Sequence, residues 1–451
     1  MFLWMSEEAK KRKSTESSFL GGICIDEMSI QDDLCMVTSN GETRLVGFVD
    51  MGTDGENMRI LSSGEVQRPL ATHVLQFLYL GLNGFRFPFA CFPVTQTKAG
   101  NLHCLFWEAV KFLNMYDFKV LFVSMDGAQT NRDFMKLFFE ESSPRLGNFA
   151  TRNIWTPTDP DILFIMDFSH VVKRIRNNIN KSGNGETFKR NLYFKQHIHW
   201  EHWIQAYKWD RDTNAFPIHR RLTHEHLYLN QESKMRNKLA EDVMDVEMLN
   251  LMECYQRSIG EDGYLVDDSI ALLKATSVII EVFRDRRPIH DVEDRRLDQL
   301  TSALGWFEEW QKNVLETPVL KPSEKEKRPM SVQTRDDLCS CLLGFNSLCK
   351  TVLKTKRTPI VPARTNSDVI ENIFCQQRGI INGNNTNPNF YQYVKNINTV
   401  LIGQNVVSKN SNAEYRGCEP LCFHVNRPCK RKITSKTTSD KPRRNPLATI
   451  N

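Results

Sequence analysis

The chain has 451 residues, enough for roughly three domains and a sizeable apolar core. Its 59 basic and 54 acidic side chains nearly cancel, leaving a formal net charge of +5, so overall charge argues for no particular partner and only local clusters count. The longest apolar runs, such as 120–125, fall far short of the roughly 18 to 20 residues of a membrane helix, and no charged-then-apolar leader is evident, so no membrane partner is expected; the twelve cysteines read as reduced thiols of a nuclear or cytosolic protein.

Residues 1–20 are polar and charged with little pattern, and a disordered leader is expected there. From Gly22 to Val94 the pattern is one of short β-branched and aromatic runs, including Thr43–Val49, Val74–Leu80 and Phe87–Val94. Ser39-Asn40-Gly41 is the clearest turn, and Asn-Gly between apolar runs predicts a hairpin joining Leu34–Val37 to Thr43–Val49. Apolar residues at helical spacing then predict a helix over Leu102–Met115, a buried strand over Val120–Met125 and a second helix over Asp133–Phe139. Asp161–Asp167 reads as another buried strand, running into a helix over Ser169–Asn178.

This order, β-β-β-α-β-α-β-α over 21–181, suits a mixed α/β sheet covered on both faces. Residues 182–358 are aromatic, charged and helical in pattern, with no comparable strand, and are expected to be an insertion. A last part of the sheet domain follows over 359–412, with a helix around Asp368 and Glu371, and a basic disordered tail over 413–451.

The chemistry lies in the acids. Asp26 sits in the apolar run Gly22–Met28, Asp126 closes Lys119–Met125, and Asp368 and Glu371 stand three apart on the later helix. One sheet end could gather three of these carboxylates, and hard oxygen donors suit Mg²⁺, two of which can activate a hydroxyl and stabilise the leaving oxygen of a phosphodiester. Singly, each acid is weak evidence: strand-end Asp residues are common, and Asp368 and Glu371, three apart on a helix, are more often a solvated face or first-turn acids favoured by the dipole. Spacing alone therefore points no further than metal-dependent phosphoryl transfer.

Longer stretches are more specific. Ile25-Asp26-Glu27-Met28-Ser29-Ile30, Ser124-Met125-Asp126-Gly127-Ala128-Gln129-Thr130-Asn131, and Asp167-Phe168-Ser169-His170 continuing to Asn177 resemble successive motifs of the P-element family of DNA transposases. Leu222–His226 with Lys234-Met235-Arg236, and Asp368-x-x-Glu371-Asn372-x-Phe374-x-x-x-Arg378 with Asn387-Pro388, resemble later blocks of the same family. The resemblance implies an RNase H-like fold interrupted by a large helical insertion, with Asp26, Asp126 and Glu371 as a DDE-type catalytic triad and metal ligands. It further implies Mg²⁺ or Mn²⁺ as cofactor, DNA (transposon ends and target) and further copies of the chain as partners, and GTP as a candidate cofactor with Asp368 as its binding residue. The guanine-site pattern associated with that nucleotide has no clear counterpart near Phe283-Arg284-Asp285-Arg286-Arg287.

Neither a zinc finger of the THAP type, common in animal members of this family, nor a heptad run precedes Asp26. Two functions are therefore carried forward: a DNA-cleaving and strand-transferring transposase, truncated or not, and a catalytically silent, domesticated nuclear scaffold or nucleic-acid-binding protein. Lys430-Arg431-Lys432 and Lys441-Pro442-Arg443-Arg444 read as a two-part nuclear import signal, or as a solvated tail. Cys418, Cys422, His424 and Cys429 have zinc-ligand chemistry without a standard finger spacing. His197, His199 and His202 beside Trp200 and Trp203 suit either metal or base stacking, or plain aromatic packing. Asp167 and His170 read either as neighbours of the active site or, for Asp167, as a helix cap.

Overall fold

The computed structural model describes all residues except 12–14, 40, 54–56, 58, 59, 62–67, 140–148, 186, 383–386 and 404–451. The basic tail, the Cys418–Cys429 group and Asn40 thus lie outside the described residues. The elements of the first part are α1 (Phe2–Lys10), α2 (Thr15–Ser18), β1 (Leu20–Ser29), β2 (Cys35–Ser39), β3 (Glu42–Val46), β4 (His73–Gly81), β5 (Arg86–Val94), α3 (Ala99–Met115), β6 (Lys119–Met125), α4 (Gln129–Lys136), β7 (Ala150–Thr151), β8 (Ile162–Met166) and α5 (Phe168–Asn180).

Six of these strands form one sheet in the order β5-β4-β1-β6-β8-β7. β1, β6 and β8 run parallel, while β4 is antiparallel to β1, β5 to β4 and β7 to β8. The reading of 21–181 as a mixed α/β sheet therefore holds. β8 is buried at every position and β4 and β6 at all but their first, as a sheet covered on both faces requires; this is why their sequences are continuous apolar runs without alternation.

The predicted hairpin is present as a separate two-stranded ribbon. β2 and β3 pair with Ser39 opposite Glu42, which leaves a two-residue turn whose second residue, Gly41, has φ +82°. β3 ends at Val46 rather than Val49. α4 begins four residues before the predicted helix, because the chain turns into it directly from the Asp126 loop.

The expected disordered leader over 1–20 is corrected. Residues 2–10 are helical, and four apolar side chains explain it: Met5 and Ala9 are fully buried, Phe2 stacks on Phe112 and Tyr116 with ring centroids 5.6 Å apart, and Trp4 meets Phe87 edge-on at 5.2 Å. The interleaved Glu7, Glu8 and Lys10 mask that apolar stripe in the sequence.

The later part is helical: α6 (Trp200–Thr213), α7 (His224–Leu227), α8 (Asn237–Asp242), α9 (Val246–Ser258), α10 (Asp267–Arg284), α11 (Arg295–Glu316), α12 (Pro322–Lys327), α13 (Val332–Thr355), α14 (Asp368–Asn382) and α15 (Phe390–Gly403). α13 falls inside the range read as an insertion, yet it lies directly on the sheet. Gly344 approaches so closely that a Cβ there would sit 2.7 Å from the Phe164 carbonyl oxygen, and Ser340 Oγ donates to that same oxygen at 2.9 Å. On the sheet's opposite side of the order, Tyr393 of α15 donates through its hydroxyl to Gln76 Oε1 on β4, at 2.8 Å and fully buried.

Candidate active site

Strand register decides which acids can meet. Ile25 pairs with Met125, and Met125 with Met166, so the next residues, Asp26, Asp126 and Asp167, stand side by side where the parallel pairing of β1, β6 and β8 stops; β6 and β8 end there, while β1 runs on to Ser29 against β4. The Asp167 N–H donates to the Met125 carbonyl at 2.9 Å, tightening this corner. Open α/β sheets present their ligand sites at the carboxyl ends of parallel strands for this reason: the chain leaves the sheet there and the side chains lose their neighbours.

Glu371 reaches the same place from the first turn of α14. Its Oε1 accepts from His170 Nε2 at 3.2 Å and from Asn237 Nδ2 at 3.3 Å, while His170 Nδ1 lies 3.9 Å from Asp126 Oδ2. Glu371 Oε2 is buried with no protein hydrogen-bond partner. Asp126 is steadied through its other oxygen, Oδ1, which accepts from the Ala128 N–H at 2.9 Å and from Asn131 Nδ2 at 2.7 Å. The three acids read from sequence therefore share one site, and His170 bridges two of them.

The acids feel one another. Burial raises the Asp26 pKa well above the usual carboxylate range, and the Asp126 and Glu371 carboxylates raise it further, against His170 and the Glu27 N–H. Cys24, buried behind them on β1, is raised likewise by burial first and then by the same acids. Burial alone would lower the His170 pKa, but the Glu371 hydrogen bond together with the Asp167 and Glu371 charges leaves it raised, so its imidazolium form is favoured. Such an excess of buried negative charge is what a divalent cation would relieve. The donors fit one, being hard carboxylate oxygens with one buried oxygen unsatisfied. As they stand, no three His, Cys, Asp or Glu side chains among the described residues converge closely enough to grip a metal ion.

Asp167 serves as the cap that the sequence allowed. Its Oδ1 accepts from the Ser169 N–H at 2.7 Å, opening α5, and its Oδ2 accepts from the Ser367 N–H at 2.7 Å and from the Ser367 hydroxyl. Burial would raise its pKa, yet His170, Ser367 and Ser169 hold it below the usual value. One carboxylate thus ties α5 to the segment that starts α14, so it is both a cap and a neighbour of the site.

Asp368 does not join the other acids. It is buried, its Oδ2 lies 2.5 Å from Arg284 Nη1 and accepts from Asn366 Nδ2 at 3.1 Å, and burial lifts its pKa to about 6 in spite of Arg284. Arg284 also grips Glu241 through two nitrogens at 2.6 and 3.0 Å. Arg284, within the segment Phe283–Arg287, is thus a brace between α8, α10 and α14.

Behind Asp126, Gly127 has no room for a side chain: a Cβ would sit 2.5 Å from Asp337 Oδ2 and 2.8 Å from Arg174 Nε. Asp337 of α13 is held by Arg132 at 2.8 and 2.9 Å, and Arg174 donates to the Gly127 carbonyl. Asn237, Arg284 and Asp337 were missed in the sequence. Asn237 directly follows the Lys234-Met235-Arg236 block and was within reach of the same reading; the other two are charged residues whose partners lie tens to hundreds of positions away. The histidine group proves to be packed rings: His197 and His199 share Asn191 Oδ1 at 2.9 and 3.2 Å, His202 meets Ser269 Oγ at 2.8 Å, and burial lowers His199 and His202 to about 4.

A six-stranded mixed sheet with acids where the pairing of its parallel strands stops, completed by an acid from a distant helix, is the arrangement of an RNase H-like fold. Residues 1–139 match the family model described as the TNP-like RNase H N-terminal domain. The whole fold is similar to that of the Drosophila P element transposase strand transfer complex, with a TM-score of 0.65 and 14% identity, covering 89% of this chain and 81% of that one. No curated protein matches the chain. The two findings agree on the fold: a TNP-like RNase H N-terminal domain over residues 1–139, within an overall architecture similar to that of the solved complex.

Proposed function

We propose that the chain is a DDE-type transposase that cuts DNA strands and joins them to a target in the nucleus, using Mg²⁺ or Mn²⁺ held by Asp26, Asp126 and Glu371. The observation that carries this reading is the in-register placement of Asp26 and Asp126 just past the last paired residues of two neighbouring parallel strands, with Glu371 brought to them through His170 and left with a free buried oxygen. When bound, a divalent pair supplies activation of the attacking hydroxyl and stabilisation of the leaving oxygen. The protein's own residues do the positioning. Asn131 and the Ala128 N–H fix one Asp126 oxygen and leave the other facing His170 Nδ1 at 3.9 Å, and His170 Nε2 with Asn237 Nδ2 fixes Glu371 Oε1 and leaves Oε2 free.

The test is Mg²⁺- or Mn²⁺-dependent nicking and joining of labelled DNA by the purified chain, beside Asp126→Asn and Glu371→Gln. Both variants should melt as cooperatively as the wild type and lose cleavage; cleavage that survives in either one overturns the assignment. A folded, metal-saturated wild type with no activity selects the silent scaffold instead. GTP is titrated in the same assay with Asp368→Asn alongside. A GTP response lost in that variant supports the nucleotide role expected of Asp368, and a wild-type rate indifferent to GTP removes the nucleotide from the scheme.

A further inference from the structure

α5 starts at the acids and leads away from them, and its far end is basic. Lys173, whose Nζ donates to the Met235 carbonyl at 3.4 Å, stands beside Glu371 and Asp126, and Lys181 caps the helix eight residues on, roughly 12 Å along the axis. There the chain turns back on itself: the Arg190 N–H donates to the Lys181 carbonyl at 3.1 Å and the Gly183 N–H to the Arg190 carbonyl at 3.2 Å. Lys234 is brought alongside by its own carbonyl, which accepts from Arg176 Nη2 at 2.9 Å. Lys181 and Lys189 are exposed, and Arg190 and Lys234 are half-buried.

An aromatic ring stands in this basic ground. Phe188 is 40% exposed, and its back is held by close contact with Gly183, where a Cβ would come within 2.5 Å of the ring. The Phe188 N–H donates to the Gly185 carbonyl at 3.4 Å, and Gly185 has φ +104°. Cations around a fixed aromatic face form the combination that holds single nucleic-acid strands, with phosphates on the cations and a base on the ring.

We propose that Lys181, Lys189, Arg190 and Lys234 around Phe188 form the seat of one unpaired DNA strand on its way to the acids, its phosphates on the cations and one base stacked on Phe188. The inference rests on the DNA-processing reading above and adds the strandedness of the substrate and its route along α5. After burial, the groups that depress the Lys181 pKa are all cations, Lys189, Arg190, Lys234 and Arg174, a mutual repulsion that a phosphate chain would relieve.

The experiment uses the full chain in EDTA, so that no catalysis intervenes, with fluorescence anisotropy on a blunt duplex and on the same duplex with an unpaired extension carrying 2-aminopurine. Wild type should prefer the extended DNA and quench the probe. Phe188→Leu keeps the packing on Gly183 and should abolish the quench and weaken extended DNA by roughly ten-fold while leaving the blunt duplex unchanged. Lys181→Glu with Lys189→Glu should weaken extended DNA and reduce the slope of log K against log salt by about 1.4, two phosphates' worth for a single strand. Variants that bind and quench like a DNA-binding wild type overturn the seat and leave the DNA reading standing. A folded wild type that binds neither DNA overturns both.

Discussion

Gly127→Ala tests whether the loop after Asp126 is held as tightly as the structure implies. The new methyl would lie 2.5 Å from Asp337 Oδ2 and 2.8 Å from Arg174 Nε, so one of them must retreat by about 1 Å to reach ordinary contact. Neither is a free side-chain end. The Asp337 side chain is 1% exposed and held by Arg132 through two hydrogen bonds, and Arg174 donates to the carbonyl of Gly127 itself. Overpacking of this kind costs about 1–3 kcal/mol, a fall of roughly 1–3 degrees in Tm for a chain of this size. Because the displaced atoms adjoin the peptide that carries Asp126, DNA nicking should fall more steeply, by up to about 100-fold for a misplacement near 1 Å. Gly305 and Gly379, exposed in α11 and α14 with open space where a Cβ would go, provide the control: alanine at either should stabilise by roughly 0.5–1 kcal/mol with nicking unchanged. Differential scanning calorimetry and a nicking time course on the three variants read both quantities. A Gly127→Ala protein with wild-type Tm and rate would refute the reasoning.

Other outcomes follow from the same geometry. Asp26 carries a raised folded-state pKa, so the stability it contributes is complete below the ordinary carboxylate range and is lost as pH rises through the folded value. Asp26→Asn should therefore flatten the fall in Tm above about pH 4 and melt higher than wild type at pH 7–8, and Mg²⁺ should raise the wild-type Tm more than the variant's. Arg284→Met would leave Glu241 and Asp368 buried without their cation and should cost about 3–5 kcal/mol in urea unfolding, whereas adding Asp368→Asn should recover part of that loss. Asn237→Ala removes one of two donors to Glu371 Oε1 and should slow nicking by roughly ten-fold with little change in Tm; Asn237→Asp places a carboxylate 3.3 Å away and should slow it further.

Strands β4, β6 and β8 could be read from the sequence because each is buried along nearly its whole length, and β1 because its first half is, which leaves apolar runs; Asp26 and Asp126 follow from where two of those runs stop. Asp167 as a helix cap was equally legible, since capping is decided within a few residues. What escaped was decided across long separations. Asp337 lies 205 positions from Arg132, and Gln76 lies 317 from Tyr393; nothing local distinguishes these side chains from surface ones. α1 escaped for another reason: Phe2, Trp4, Met5 and Ala9 are too few, and too closely flanked by charge, to register as a stripe until β5 and α3 supply the surface they cover. Asp368 and Glu371 show the limit of spacing. They share the first turn of one helix, but Glu371 turns to His170 and Asp368 to Arg284.

The contact between His170 and Glu371 spans 201 positions of chain. At a synthesis rate of roughly 5–20 residues per second, the ribosome finishes the sheet about 10–40 s before it makes the acid that completes the cluster. During that interval the nascent chain displays Asp26 and Asp126 without their third member, so an unfinished polypeptide holds no complete cutting centre. Placing the last carboxylate on a later helix thus ties the onset of the proposed DNA chemistry to the synthesis of that helix, a form of timing built into gene order rather than into any switch.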